Sequence, residues 1–540
     1  MKRVRALILG VLGVLSMVAA LALSGCSTEP GGGSGSSEGT RGSGDTSADL
    51  VADLVIVAAT ELKDLRELVD QASRELGFSI EMYFPGGTLD NSQALHRGEF
   101  DGVVDATWFA TNRYTNLIGA QGKLADETKI ATSPIAFGVW EDTARRLGWD
   151  AKQPTWADFA AAAEAGEFRF GMTNPASSNS GFSALVSVAT AIADTGEAIT
   201  PADLERISPT LEGLFKSQSL VSGSSGWLAD AFAADPSRAD GIINYESTLH
   251  QLREQGQPIR VIVPSDGVIS ADYPLSTLAD PKHPEAAERV EQLAGWLLEH
   301  QSEIAQTYRR PVSQVDNVPA EIASQQVIEL PFPANQGVVD ELIYTYNNQY
   351  RRPGATTFVL DTSGSMAGER ISSLQSIMLS LIDGTAATNV GDVSLRDNEQ
   401  VTIQSFSDEP HPPVTATYNR ADPQAAAELR GYVESLRAAG GTALYPALLE
   451  AMERADTSAG IPSIVLLGDG QANIGENFTQ FAKRYRSLPA DKRGIPVFVI
   501  LYGSANTAEM ERLAELTGGA VFDAVNGDLD QAFKEIRGFQ

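Results

Sequence analysis

The sequence predicts an α/β protein with parallel sheets, and three observations carry that prediction. Short apolar runs alternate with helical stretches from residue 54 to about 330, and the alternation resumes from about 355 to 540. Between the two stretches Pro311, Pro319, Pro331 and Pro333 break the chain into irregular segments, closed by the polar junction QYRRPG at 349–354. At 540 residues the chain is too long for one ordinary domain, so two or three are expected.

Lys2, Arg3 and Arg5 open the chain, followed by an apolar run over 6–23 and then Leu23-Ser24-Gly25-Cys26. The run is nearly long enough to cross a bilayer, so its length alone would equally describe a retained anchor helix. Cys26, the single cysteine of the chain, stands directly after small residues, and this arrangement resembles the bacterial lipoprotein signal. The resemblance implies a signal peptide at 1–25, acylation of Cys26, and a lipid-anchored protein on the extracytoplasmic face of the cell membrane. It also leaves the mature protein without a free thiol or a disulfide. Residues 26–50 are mostly Gly, Ser, Thr and Glu, the composition of a flexible tether. The net charge is −30, and losing Lys2, Arg3 and Arg5 with the signal would lower it by three to −33. A chain this acidic is repelled by nucleic acid and by anionic lipid heads, and we read the excess as a solubilising surface.

In the region 51–345, strands are expected at 54–59, 79–84, 101–106, 135–140, 168–172, 241–244 and 259–263. A helix opens at Thr60 with Leu62, Leu65, Leu68 and Val69 on one face, another runs over about 182–193, and a long one over 281–308. The loop 174–181, NPASSNSG, has no large side chain and feeds a helix, so its N–H groups and hydroxyls could wrap an anionic or polar ligand. Thr60, Ser178, Asn179, Ser180, Tyr245, Glu246 and Tyr273 are the candidate ligand residues. Each has a plainer reading. Ser178 and Ser180 could cap the helix, Glu246 could pair with a neighbouring arginine, and Tyr273 before Pro274 could be hinge structure. Trp108 and Trp227 are more simply core than cleft walls. The order of these pieces resembles the two-lobed bacterial extracytoplasmic solute-binding proteins, which implies a ligand cleft at the hinge and a possible small-molecule solute. The resemblance rests on Thr60-Glu61, 134–140, the loop 174–182, Tyr245-Glu246-Ser247 and Tyr273-Pro274-Leu275.

In the region 355–540 the organising stretch is 356–366, TTFVLDTSGSM: a buried strand running into Asp361, Ser363 and Ser365 at alternate positions. Alone, that pattern also fits a capped helix start. Gly440-Gly441-Thr442 precedes a second apolar helix, and the run 464–467 ends in Gly468-Asp469-Gly470. Asp361, Ser363, Ser365, Thr442 and Asp469 together resemble the metal-ion-dependent adhesion site of von Willebrand factor A domains. In that family the two Ser and the Thr contact the cation, the two Asp act largely through water, and one position stays open for an acidic group on a partner. A Thr common before the last Asp is here Gly468, which is not a ligand position. Hard oxygen donors suit Mg²⁺, or Mn²⁺ or Ca²⁺. The rest fits a doubly wound, Rossmann-like sheet. Strands are expected at 400–406, 413–418, 464–467, 497–501 and 520–522, with helices at 371–383, 423–436, 443–454, 478–485, 507–516 and 529–536.

An aspartyl phosphotransferase would need a second Asp where Ser363 stands. No Ser-His-Asp pattern involves the five histidines, and no phosphate loop with Lys is present. The expectation is therefore a non-enzymatic, membrane-tethered binding protein. Its A domain would grip a carboxylate of a protein or glycan, with solute capture for an ABC-type uptake system as the alternative.

Overall fold

The computed structural model describes residues 51–388, 391–392, 394–469, 471–502, 507–523 and 536. The signal and tether expected at 1–50, Cys26 included, lie outside the described residues, as does all but Ile536 of the helix expected at 529–536.

The first region supplies strands β1 (Leu54–Ala58), β2 (Ile80–Tyr83), β3 (Ala106–Trp108), β4 (Thr128–Lys129), β5 (Ala131–Trp140), β6 (Phe170–Thr173), β7 (Gln218–Ser222), β8 (Gly241–Tyr245), β9 (Ile259–Ile262), β10 (Ser270–Ala271), β11 (Pro274–Thr277) and β12 (Arg310–Pro311). They form two sheets. One has the order β2-β1-β3-β11-β4, the other β10-β5-β8-β6-β7 with β9 and β12 also on β5. The chain therefore crosses between the sheets three times, from β4 to β5, back from β10 to β11, and again from β11 to β12. The first two crossings are tied together where Ile130 N–H donates to the Tyr273 carbonyl at 3.3 Å. Tyr273 adopts φ 42°, a left-handed conformation in which a bulky residue persists only where its surroundings hold it. Trp108 helps hold it: its fully buried indole N–H donates to the same carbonyl at 3.1 Å, which makes it hinge core.

The strand expected at 101–106 forms instead at Ala106–Trp108. Asp105 explains the shift, because its carboxylate is taken up by the Val55 N–H at 2.8 Å and the His283 N–H at 2.7 Å. The long helix expected over 281–308 starts at Ala286, two residues past Pro284, and divides at His300 into Ala286–Glu299 and Gln301–Gln306. The helix expected at Thr60 opens as a 3₁₀ turn, Thr60–Leu65, before the α-helix Arg66–Leu76.

His250, in the helix Glu246–Glu254, is buried against Tyr308 with ring centroids 4.9 Å apart, and its Nε2 has no hydrogen-bond partner. Burial, helped by Arg253, pushes its pKa from 6.5 down to about 4. A depressed histidine pKa means that the unfolded chain takes up a proton the folded chain refuses. Stability is then lost as pH falls from 6.5 towards 4. Wild type is expected to lose roughly 2–3 kcal/mol more than His250→Leu between neutral pH and pH ~4.5, read by urea unfolding at both.

The second region adds β13 (Gly354–Asp361), a small ribbon β14 (Ala387–Thr388) and β15 (Gly391–Asp392), then β16 (Gln400–Phe406), β17 (Val414–Thr417), β18 (Ile461–Gly468), β19 (Val497–Leu501) and β20 (Val521–Asp523). The main sheet has the order β17-β16-β13-β18-β19-β20, parallel throughout except for the antiparallel edge strand β17. Every residue of β13 is buried, as a central parallel strand requires. Phe358 and Leu360 face Leu374, Met378, Leu429 and Val433 on one side, while Val359 faces Leu444, Leu448 and Phe481 on the other. This period-2 division makes the sheet doubly wound and leaves the C-terminal strand ends open as a working edge.

Candidate functional site

Asp361 ends β13. The register sets Leu360 against Leu467 of β18, so Gly468 lies beside Asp361. A Cβ at 468 would stand 2.7 Å from the Asp361 Cβ and 2.9 Å from its Oδ2; only glycine leaves the carboxylate room. Asp361 Oδ1 accepts the Ser363 N–H at 2.8 Å, whereas Oδ2 is buried with no hydrogen-bond partner. Burial, with the nearby charge of Asp469, pushes the Asp361 carboxyl up to about 6. Ser363 Oγ lies 3.0 Å from Ser365 Oγ. The loop holding them is fastened to the next by Gly364 N–H on the Gly440 carbonyl at 2.9 Å and Ala439 N–H on the Thr362 carbonyl at 2.8 Å. Those bonds bring Thr442, two residues past Gly440, to the same edge. Thr442 N–H donates to Asn473 Oδ1 at 2.8 Å, and its carbonyl accepts the Asn473 N–H at 3.1 Å. Asp469 follows β18 directly and is buried.

The structure thus gathers Asp361, Ser363, Ser365, Thr442 and Asp469 at one strand-end cluster. Two acids and three hydroxyls, one acid oxygen orphaned and buried, fit a hard divalent cation. Among the described residues no group of three or more His, Cys, Asp or Glu is placed to hold a metal, so a cation here would rest on hydroxyls and water beside two carboxylates. Motif reading passed over Arg370 and met Gly468 only as a departure from the family pattern; neither is a ligand type. Gly468→Ala is expected to cost about 1–3 kcal/mol by crowding Asp361 and to weaken any Mg²⁺ response, both measurable by thermal melting with and without the ion.

His411 has Nδ1 3.0 Å from Ser405 Oγ and Nε2 3.3 Å from Ser407 Oγ. With hydroxyls at both ring nitrogens, no carboxylate orients the ring as a nucleophile's base would need.

In the first region, the hydroxyls expected to wrap a ligand satisfy one another. Ser180 Oγ lies 2.8 Å from Thr173 Oγ1, 2.7 Å from Ser225 Oγ and 3.2 Å from Ser178 Oγ. Ser178 makes no side-chain cap to the helix Asn179–Ala193. Asn179 Nδ2 donates to the Tyr245 hydroxyl at 2.9 Å, its Oδ1 has no partner, and Tyr245 is close enough to Glu61, next to Thr60, for the two to feel each other's charge. Burial holds the Glu61 carboxyl above its usual range, with Arg309 opposing. Tyr273 packs edge-on against Tyr245 at 6.3 Å. Glu246 stands apart: fully buried, its two oxygens accept from Arg310 Nε at 2.7 Å and Nη2 at 2.9 Å, the arginine pairing. A Cβ on Gly87, in the loop after β2, would lie 2.6 Å from the Ser177 carbonyl after β6, so the two lobes meet at that rim.

Residues 54–293 match the family of bacterial extracellular solute-binding proteins, and residues 357–535 match the von Willebrand factor type A domain. The chain thus joins a region similar to solute-binding proteins to a region similar to the A domain. Inter-alpha-trypsin inhibitor heavy chain H4 of Sus scrofa is 29% identical over 193 residues, 34% of this chain. The chain spans only 19% of that relative's length. The periplasmic binding protein AfuA from Actinobacillus pleuropneumoniae is 13% identical with a TM-score of 0.45, over 55% of this chain and 98% of its own. The sulfate-binding protein SubI from Mycobacterium tuberculosis H37Rv is 19% identical with a TM-score of 0.40, over 53% of this chain and 97% of its own. A von Willebrand factor type A structure from Catenulispora acidiphila is 18% identical with a TM-score of 0.28, over 35% of this chain and 43% of its own. The family that residues 54–293 match is described as extracellular, which suits an extracytoplasmic location. Among the described residues no helix is long and apolar enough to cross a membrane.

Proposed function

We propose that the A domain recognises a carboxylate on a protein or glycan partner through a divalent cation, Mg²⁺ or its close substitutes Mn²⁺ and Ca²⁺. Asp361, Ser363, Ser365, Thr442 and Asp469 would hold the ion, which would supply a Lewis-acidic contact for the acidic oxygen. The observation that carries this reading is the buried, unpartnered Oδ2 of Asp361 beside a second buried acid. Two such charges in one dry pocket repel each other, and a cation between them relieves the repulsion. The chain's own residues do the remaining work. The Ser363 N–H orients Asp361, the Gly364 and Ala439 bonds clamp the two hydroxyl-bearing loops, and Gly468 leaves room for the acid. Acylation of Cys26 would tether the protein to the membrane through the segment 26–50. Calorimetric titration of the whole chain with MgCl₂ tests the site; absence of heat would refute it.

A second reading is capture of a small solute at the hinge, in a cleft that Thr60, Asn179, Tyr245 and Tyr273 would line. It is supported by the buried Asn179 Oδ1 and Tyr273 hydroxyl, both without hydrogen-bond partners close to where the lobes meet. A thermal-shift scan over sugars, oxyanions and metabolites tests it, and no stabilisation by any of them would leave adhesion alone.

A further inference from the structure

Arg370 stands in the first turn of the helix Glu369–Asp383, with its side chain 40% exposed. Its Nη1 lies 3.7 Å from Asp469 Oδ2 and donates to the Ser365 carbonyl at 3.1 Å. The guanidinium therefore touches the loop that carries two of the hydroxyls and the acid at the end of β18. Asp469 is only 3% exposed, so water compensates its charge poorly and a neighbouring cation matters.

We propose that Arg370 is a built-in counter-ion that competes with the divalent cation for Asp469. The inference rests on the metal reading of this site. In the metal-free protein the guanidinium compensates Asp469. When the ion binds, two positive charges share one acid, and the arginine must release it. Coupling between the two is reciprocal: whatever the arginine contributes to the empty site, it takes from the filled one. One unit charge beside a divalent ion at a partly exposed site changes affinity by roughly tenfold. The plainer role would be mechanical, with Arg370 only bracing the loop through the Ser365 carbonyl.

The test compares wild type, Arg370→Gln and Arg370→Lys as whole chains, by calorimetric titration with MgCl₂ alone and by melting in EDTA and in saturating MgCl₂. Arg370→Gln is expected to bind Mg²⁺ about tenfold more tightly than wild type, by a margin that narrows with added salt. It should melt lower than wild type in EDTA, and no lower in MgCl₂. Arg370→Lys, which keeps the charge, should stay within about threefold of wild type. Unchanged or weaker Mg²⁺ affinity in Arg370→Gln, or a lower melting temperature in both buffers, would overturn the counter-ion role. Heat from wild type with no gain in the variant removes only that role; no heat from either removes the metal site as well.

Discussion

Replacing Asp361 by asparagine is expected to abolish the protein's response to Mg²⁺ while making the metal-free fold more stable. The carboxyl is fully buried and its pKa rises from 3.8 to about 6, with burial the leading cause and Asp469 adding repulsion. A raised carboxylate pKa costs folding stability once the group is charged. The cost is full above about pH 6 and fades as pH falls towards 3.8. Asparagine keeps an acceptor for the Ser363 N–H and places a donor where Oδ2 was orphaned. At neutral pH the metal-free variant should gain up to roughly 3 kcal/mol by urea unfolding in EDTA. Wild type, in contrast, should gain about 2.7 kcal/mol at Mg²⁺ a hundredfold above its dissociation constant, and the variant nothing. A magnesium-dependent gain that survived in Asp361→Asn would put the ion elsewhere.

Asp64→Ala should be the most damaging single change in the first region. Arg309 is 2% exposed, and Asp64 meets its guanidinium at 2.7 and 2.9 Å through both oxygens. Arg309 also donates to the Glu61 carbonyl at 2.8 Å and lies 5.3 Å from the Tyr273 ring centroid. It directly precedes β12, which pairs with β5 in the second sheet, while Glu61 and Asp64 belong to the first lobe. Removing Asp64 leaves the buried Arg309 without its two-oxygen carboxylate partner, a loss of about 3–5 kcal/mol. Arg309→Met should cost less, because Asp64, 29% exposed, can turn to water. Urea unfolding of the two variants checks the order; equal losses would mean the pair matters for packing and not for charge.

The motif of the A domain was legible because its signals are local. The continuous β-favouring run 356–360 declares a buried strand, and Asp361, Ser363, Ser365, Thr442 and Asp469 all sit where strands or loops end. Gly468 was visible only as a departure from the family pattern. Its reason, room for Asp361, depends on the register between β13 and β18. The hinge was harder still. Arg309 and Asp64 are 245 positions apart, and nothing near either announces the other. The loop 174–181 read correctly as hydroxyl-rich, but Thr173 and Ser225, which occupy the Ser180 hydroxyl, belong to other elements. The strand Gln218–Ser222 was passed over because QSLVS is half polar, and the buried Gln218 is satisfied by distant groups, donating to the Met172 carbonyl at 3.3 Å and accepting from the Tyr346 hydroxyl at 2.7 Å.

The place of β13 in its sheet has a mechanical consequence. Its first residues continue from the junction at Pro353, its last residue is Asp361, and it is bonded along its length to β16 on one side and β18 on the other. A pull between the junction and anything gripped at Asp361 would run along the strand. The covalent backbone of that one strand would carry the load, and the ladders to β16 and β18 would be spared it. The rest of the sheet would not have to open for a pull along that line to be borne.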